Sequence, residues 1–190
     1  MKAVSVLRKN SVREKSLLHV IRGWLLLLLI IVLLLFTGIH MLHQQQRVIG
    51  TSMYPTLRDG DSVIIDTLSY RFFEPARFDV VVFPFKYQED TLYIKRIIGL
   101  PGETVQIMDG KVYINGAELN ETLFGFDPIE QPGLASAQIT LGQDEYFVLG
   151  DNRNDSADSR EPTVGNINRS VIMGKAFWRI FPIRHFGPVR

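Results

Sequence analysis

The sequence predicts a mainly β protein, an antiparallel β-sheet domain carried behind a single N-terminal membrane helix. Three observations carry that reading. One uncharged, leucine-rich run is long enough for a bilayer, and short β-branched segments punctuated by Gly, Pro, Asn and Asp follow it. The 190-residue chain has no cysteine, so whatever lies beyond the run folds without disulfides. Setting the run aside leaves about one domain's worth of chain, enough for a real core.

The first element is the run itself. Lys2, Arg8, Lys9, Arg13, Lys15 and Arg22 precede it, against Glu14 alone. No residue from Gly23 to Ile39 is charged, and Leu25 to Phe36 is wholly aliphatic or aromatic. Carried to Leu42, the segment reaches the roughly 20 residues that a ~30 Å hydrocarbon core requires. Trp24 and His40 fall where interfacial side chains belong. The basic flank marks residues 1–22 as a cytoplasmic tail, 23–42 as the membrane span and 43–190 as an extracytoplasmic domain at the cell membrane. A cleaved signal peptide shares the basic-then-apolar order. The run is long for one, however, and Phe36-Thr37-Gly38-Ile39-His40 lacks a clean small-x-small site, so an uncleaved signal anchor is favoured.

Strands come next. Ser62–Asp66 and Phe78–Phe83 are short, β-branched and bounded by turn residues. Leu92–Ile98 alternates less cleanly, which suits a strand covered on both faces. Leu100-Pro101-Gly102-Glu103 forces a turn. Gln106–Met108 and Lys111–Ile114 flank Asp109-Gly110, the preferred chemistry of a type I′ hairpin, and Asn115-Gly116 is a second such turn. Leu119 to Ser136, with Pro128 and Pro132, reads as a long loop or a small inserted lobe, within about 104–142. Gln138–Leu141, Glu145–Leu149 and Val171–Trp178 return to strand.

A formal net charge of +1 gives no global steer toward nucleic acid, and no feature specifies an oligomeric state. The chemistry begins at Gly50-Thr51-Ser52-Met53-Tyr54-Pro55, a short tether beyond the membrane run. A serine hydroxyl needs a base before it can attack. None of the four histidines, His19, His40, His43 and His185, is well placed to be that base. A lysine can serve if it is neutral, which near pH 8 requires its pKa to fall by roughly 2 to 3 units. Burial among apolar groups lowers a lysine pKa. Lys95 lies among Leu92, Tyr93, Ile94, Ile97 and Ile98, and strand alternation puts it on the face of Tyr93 and Ile97, with Arg96 opposite. An edge-strand lysine that blocks aggregation is the alternative.

A third segment, Gly150-Asp151-Asn152-Arg153-Asn154-Asp155-Ser156-Ala157-Asp158-Ser159-Arg160, counts poorly as a calcium loop. Arg153 occupies the third position, Pro162 the twelfth, and no glycine stands at the sixth. Together with the Ser-Met-x-Pro and Tyr93-Ile94-Lys95-Arg96 segments it resembles the bacterial type I signal peptidases. These are membrane-bound Ser-Lys proteases, and the pattern is that of a short, Gram-positive-like form. The resemblance runs from the apolar run to near the C-terminus.

It implies a signal peptidase/LexA-like β fold, Ser52 as nucleophile, Lys95 as general base and Ser156 as the residue orienting the lysine amine. Asp158 with Arg160, and Asp151 with Arg96, are implied as structural ion pairs. It implies no cofactor and no metal. Many family members place a hydroxyl residue two positions before the nucleophile, for the oxyanion; here that position is Gly50, as in some Gram-positive relatives.

From Leu42 to Ser52 the chain spans at most about 35 Å, which keeps the serine near the bilayer. The implied partners are that bilayer and the signal peptides of exported preproteins, with small residues one and three positions before the cut. Such a peptide suits strand addition beside Val48-Ile49-Gly50 and Leu92-Tyr93-Ile94. Met53, Tyr54, Phe72 and Phe73 are candidates for apolar contact with the membrane interface, with plain core or rim packing favoured at least equally. A self-cleaving repressor of the LexA-like kind is disfavoured by the apolar run; a dedicated maturation peptidase shares every feature above.

Overall fold

The computed structural model of the protein describes residues 19–38 and 45–190. Residues 1–18 of the basic tail, with His40 and His43, lie outside those residues. Helix α1 runs His19–Gly38, and by length and composition its 20 residues, about 30 Å of helix, are enough to cross a membrane. It begins four residues before the uncharged run.

The remainder is antiparallel β-structure. In chain order the strands are β1 (Gln45–Arg47), β2 (Ser62–Asp66), β3 (Val80–Phe85), β4 (Gln88–Gly99), β5 (Thr104–Met108) and β6 (Lys111–Ile114). They continue as β7 (Ala117–Glu118), β8 (Ile139–Thr140), β9 (Glu145–Leu149), β10 (Ile167–Asn168), β11 (Gly174–Phe181) and β12 (Gly187–Pro188). One sheet has the order β1-β2-β11-β3-β4-β9-β10, with β12 against β11; a second has the order β7-β6-β5-β8.

Local chemistry explains the second sheet. Asp109 and Gly110 both take positive φ (50° and 77°), as do Asn115 and Gly116 (52° and 80°). Consecutive positive φ values are what a type I′ turn demands, and its twist matches that of the flanking strands. Met108 therefore pairs Lys111, and Ile114 pairs Ala117. The sheet packs through Val105, Ile107, Val112 and Leu141 onto Ile98, Phe147 and Leu149 of the first.

Several strand bounds differ from the sequence expectation, and two of the shifts have a local cause, as does the cover of β4. Phe78 does not open β3: it sits at φ 72°, and its N–H donates to the Ile97 carbonyl before the strand begins. The last long strand starts three residues later than Val171, because the Asn168 side chain accepts from the Ser170 N–H and turns 169–171 into a 3₁₀ turn. Leu92–Ile98 is covered on both faces only from Lys95 onward; residues 91–94 are half-exposed.

Candidate active site

The turn carrying Ser52 is built from two hydrogen bonds and two buried side chains. Tyr54 N–H donates to Thr51 O at 2.9 Å and Leu57 N–H to Met53 O at 2.8 Å. Met53 and Leu57 are buried with Val48, Val63 and Val82. Met53 is thus a core residue, the packing alternative of the sequence reading; its 2 % exposure leaves nothing for a membrane to touch. Tyr54, Phe72 and Phe73 are exposed.

β4 delivers the second group. Lys95 is 4 % exposed, and its Nζ donates to Ser52 Oγ at 2.7 Å and to the Ile94 carbonyl at 3.2 Å. The Tyr93 ring lies 5.1 Å from the same amine. Burial pushes the lysine pKa down to about 8, against the pull of Asp158, Asp151 and Glu161, which favour the ammonium. Two of those carboxylates are already engaged elsewhere, which weakens their hold.

Asp151 takes Arg96 Nε at 2.7 Å and Nη2 at 2.6 Å. Asp158 takes Arg160 Nε and Nη2, each at 2.8 Å, and the Gly150 N–H at 3.1 Å. Both pairs are bidentate and buried, the geometry in which an arginine best satisfies a carboxylate.

The segment 150–160 also backs the serine turn directly. Asn152 N–H donates to Ser52 O at 3.0 Å, Asn152 Nδ2 to Thr51 O at 3.2 Å, and Thr51 Oγ1 to Asp155 Oδ2 at 2.6 Å. Gly150 is required at this approach: a Cβ there would collide with Ser156 Oγ and with the Ser52 carbonyl oxygen. Thr51, Asn152 and Asp155 were not singled out by sequence reasoning. Thr51 and Asp155 stand beside or inside the recognised motifs at positions the motifs leave open, and Asn152 is a fixed motif residue to which no role was attached.

Ser156 departs from its implied role. Its Oγ is buried and has no hydrogen-bond partner among the described residues, and the Lys95 amine donates elsewhere. At Gly50 the backbone takes φ +90°, and its N–H is held by Asp59 Oδ1 at 2.8 Å, so it is not free for an oxyanion. The N–H groups of Thr51 and Ser52 donate to no group among the described residues.

A second layer comes from the 119–130 segment. Phe124 and Phe126 stack at 5.1 Å, with Phe124 4.5 Å from the Arg96 guanidinium and Phe126 4.2 Å from that of Arg153. Glu121 pairs with Arg153. These aromatic faces keep two buried cations in a favourable field.

Ser52 and Lys95 stand in a cleft of about 550 Å³, walled by Val48-Ile49-Gly50 on one side and Leu92-Tyr93-Ile94 on the other. Ile49 is 87 % exposed. In the sheet, β4 pairs β9 only from Arg96 to Gly99, so the edge at residues 92–94 has no strand beside it on that side among the described residues. No histidine among the described residues lines this cleft.

A mainly β domain that sets a serine beside a buried lysine in an open-edged cleft has the arrangement a serine protease needs. The family model described as Signal peptidase, peptidase S26 matches residues 21–181, and the chain belongs to that family of signal-peptide-processing hydrolases. Signal peptidase I of Leptolyngbya laminosa is 40 % identical over 79 % of this chain and 75 % of its own length. Probable signal peptidase I-2 of Synechocystis is 38 % identical over 81 % of this chain and 71 % of its own. Signal peptidase I T of Bacillus subtilis is 35 % identical over 75 % and 76 % respectively.

Proposed function

We propose that this signal peptidase cuts preproteins through an acyl-enzyme, with Ser52 as nucleophile and neutral Lys95 as general base. The observation that carries the reading is the 2.7 Å contact between Lys95 Nζ and Ser52 Oγ in a buried setting. The Ser52 oxygen attacks the scissile carbonyl carbon while the lysine amine takes the hydroxyl proton. The ammonium then hands that proton to the departing nitrogen, and water, deprotonated by the same amine, releases the signal peptide. The Ser52 N–H is the first donor for the oxyanion.

The substrate lies as an added strand between Ile49-Gly50 and Tyr93-Ile94, main chain to main chain. Asp151, Asp158, Arg160 and Arg96 hold the scaffold around the dyad, and Ser156 lies against Gly150 beside it. Residues 1–22 form the cytoplasmic tail, 23–42 the anchor and 43–190 the extracytoplasmic catalytic domain. By chain length alone, at most about 35 Å from Leu42 to Ser52, the serine cannot stray far from the anchor.

The test is cleavage of a preprotein by purified protein carrying Ser52→Ala or Lys95→Met. Both lose cleavage by at least about 10³-fold while keeping the circular dichroism of the parent. Retained activity in either one removes the mechanism.

A further inference from the structure

The chain from Val48 to Ser52 walls the cleft, and its main-chain groups divide into two sets. In the first set each group is held from outside the cleft. Val48 N–H donates to Asp61 O at 2.8 Å, and Val48 O accepts from Gly60 N–H at 2.9 Å. Gly50 N–H donates to Asp59 Oδ1 at 2.8 Å. Thr51 O accepts from Asn152 Nδ2 at 3.2 Å and from Tyr54 N–H at 2.9 Å. The second set, the Ile49 carbonyl and the Ser52 N–H, has no hydrogen-bond partner among the described residues.

The held groups aim the free ones. A trans peptide is planar and sends its C=O and N–H in opposite directions. The Ile49–Gly50 and Thr51–Ser52 peptides are both trans. Asp59 holds the N–H of the first, so the Ile49 carbonyl points away from Asp59. Asn152 holds the carbonyl of the second, so the Ser52 N–H points away from Asn152. Ile49, Thr51 and Ser52 line the cleft, whereas Asp59 and Asn152 do not. Both free groups therefore face the cleft.

Little else fixes these two planes. Gly50 sits at φ +90°, with nothing within 4 Å of where a Cβ would stand, so packing does not hold the first. The other bond to Thr51 O, from Tyr54, closes within the same turn and moves with it.

We propose that Asp59 and Asn152 are positioning residues with separate tasks. Asp59 sets the Ile49 carbonyl as acceptor for an N–H of the substrate strand, and Asn152 sets the Ser52 N–H as donor to the oxyanion. Neither side chain touches the substrate. This rests on the Ser52 nucleophile and added-strand reading above. The Ile49 bond forms when substrate binds and persists through the reaction, so its loss weakens binding. The Ser52 bond strengthens as the oxyanion develops, so its loss lowers kcat.

The experiment uses full-length protein in detergent. Preprotein affinity is measured in a Ser52→Ala background, and kcat with Ser52 present. A peptide boronate, whose boron bonds the Ser52 oxygen and carries a hydroxyl where the oxyanion forms, reports on the tetrahedral state. Asp59→Ala is expected to weaken preprotein binding about three- to tenfold with kcat within about twofold, and Asp59→Asn, which keeps the acceptor oxygen, restores it. Asn152→Ala is expected to leave binding within about twofold, lower kcat about tenfold and raise the boronate Ki by a similar factor. Asn152→Leu, closer in volume, carries the same test if Asn152→Ala loses the circular dichroism of the parent.

A general loss of structure would not split binding from kcat in opposite senses at the two sites. Unchanged binding in Asp59→Ala, no rescue by Asp59→Asn, or an unchanged boronate Ki in the Asn152 variant overturns the assignment. Cleavage by Ser52→Ala instead overturns the nucleophile reading, so the two failures are separable.

Discussion

Lys95 and Arg96 are neighbours on β4, both buried, and the fold treats their charges in opposite ways. Arg96, 1 % exposed, meets a bidentate carboxylate, the Phe78 carbonyl at 2.8 Å, the Arg190 carbonyl at 3.0 Å and an aromatic face. Lys95 meets a hydroxyl, one carbonyl and a ring. No carboxylate among the described residues touches its amine. An arginine cannot be deprotonated in a protein, so burying it demands full compensation. A lysine can shed its proton, and leaving it uncompensated is what its proposed role as a base requires. Chain alternation supplies the division, because consecutive strand residues face opposite ways.

The comparison breaks most visibly at Arg96. Arg96→Met leaves Asp151 buried without its partner and is expected to cost about 3–5 kcal/mol. Chemical denaturation measures it, and the double variant with Asp151→Leu should recover much of the loss by removing both charges. If the single and double variants are equally unstable, the pair is not what holds this side of the strand.

Lys95→Met should act the other way. The folded pKa of about 8 lies below the ordinary lysine value of 10.5, so the folded protein binds fewer protons than the unfolded chain between those values. The penalty is fully present below about pH 8 and disappears as pH rises toward 10.5. The variant should therefore be more stable than the parent by roughly 2–3 kcal/mol at pH 7, with the gap closing at alkaline pH. Parallel stability curves across that range would deny Lys95 its desolvated state.

A smaller effect sharpens the kinetics. On the acidic limb, kcat/KM should rise about tenfold per pH unit and level off near pH 8, as the neutral amine becomes the dominant form. A profile flat from pH 6 to 9 would place the base elsewhere.

What the sequence made legible was local or carried by a motif. The Asp109-Gly110 and Asn115-Gly116 turns were readable because few dipeptides tolerate two positive φ values in succession. Lys95 stood out as a charge inside an apolar strand, but its contact with Ser52 bridges 43 residues and spacing alone left an edge-strand lysine equally open. The aromatic cover on Arg96 and Arg153 was invisible: Phe124 and Phe126 sit in a stretch without periodicity, and their partners are 28 and 27 residues away. Strands of two or three residues, such as β1, β7, β10 and β12, carry too little alternation to be seen. Ser156 shows the limit of transfer by motif, since the residue stands in the right segment while its hydroxyl makes no bond to the lysine.

The strand order has a bearing on when this protein becomes a protease. β2, which comes after the serine turn, and β3, which hands on to the lysine strand, are not adjacent; β11, residues Gly174–Phe181, lies between them. Arg96 waits in addition for a carbonyl 94 residues further along. A growing chain that has emerged only as far as β9 therefore owns both reactive residues without the ladder that unites them. Such an order withholds the ladder beneath the proposed dyad until β11 has been made, so the cleft between Ser52 and Lys95 is a late product of folding.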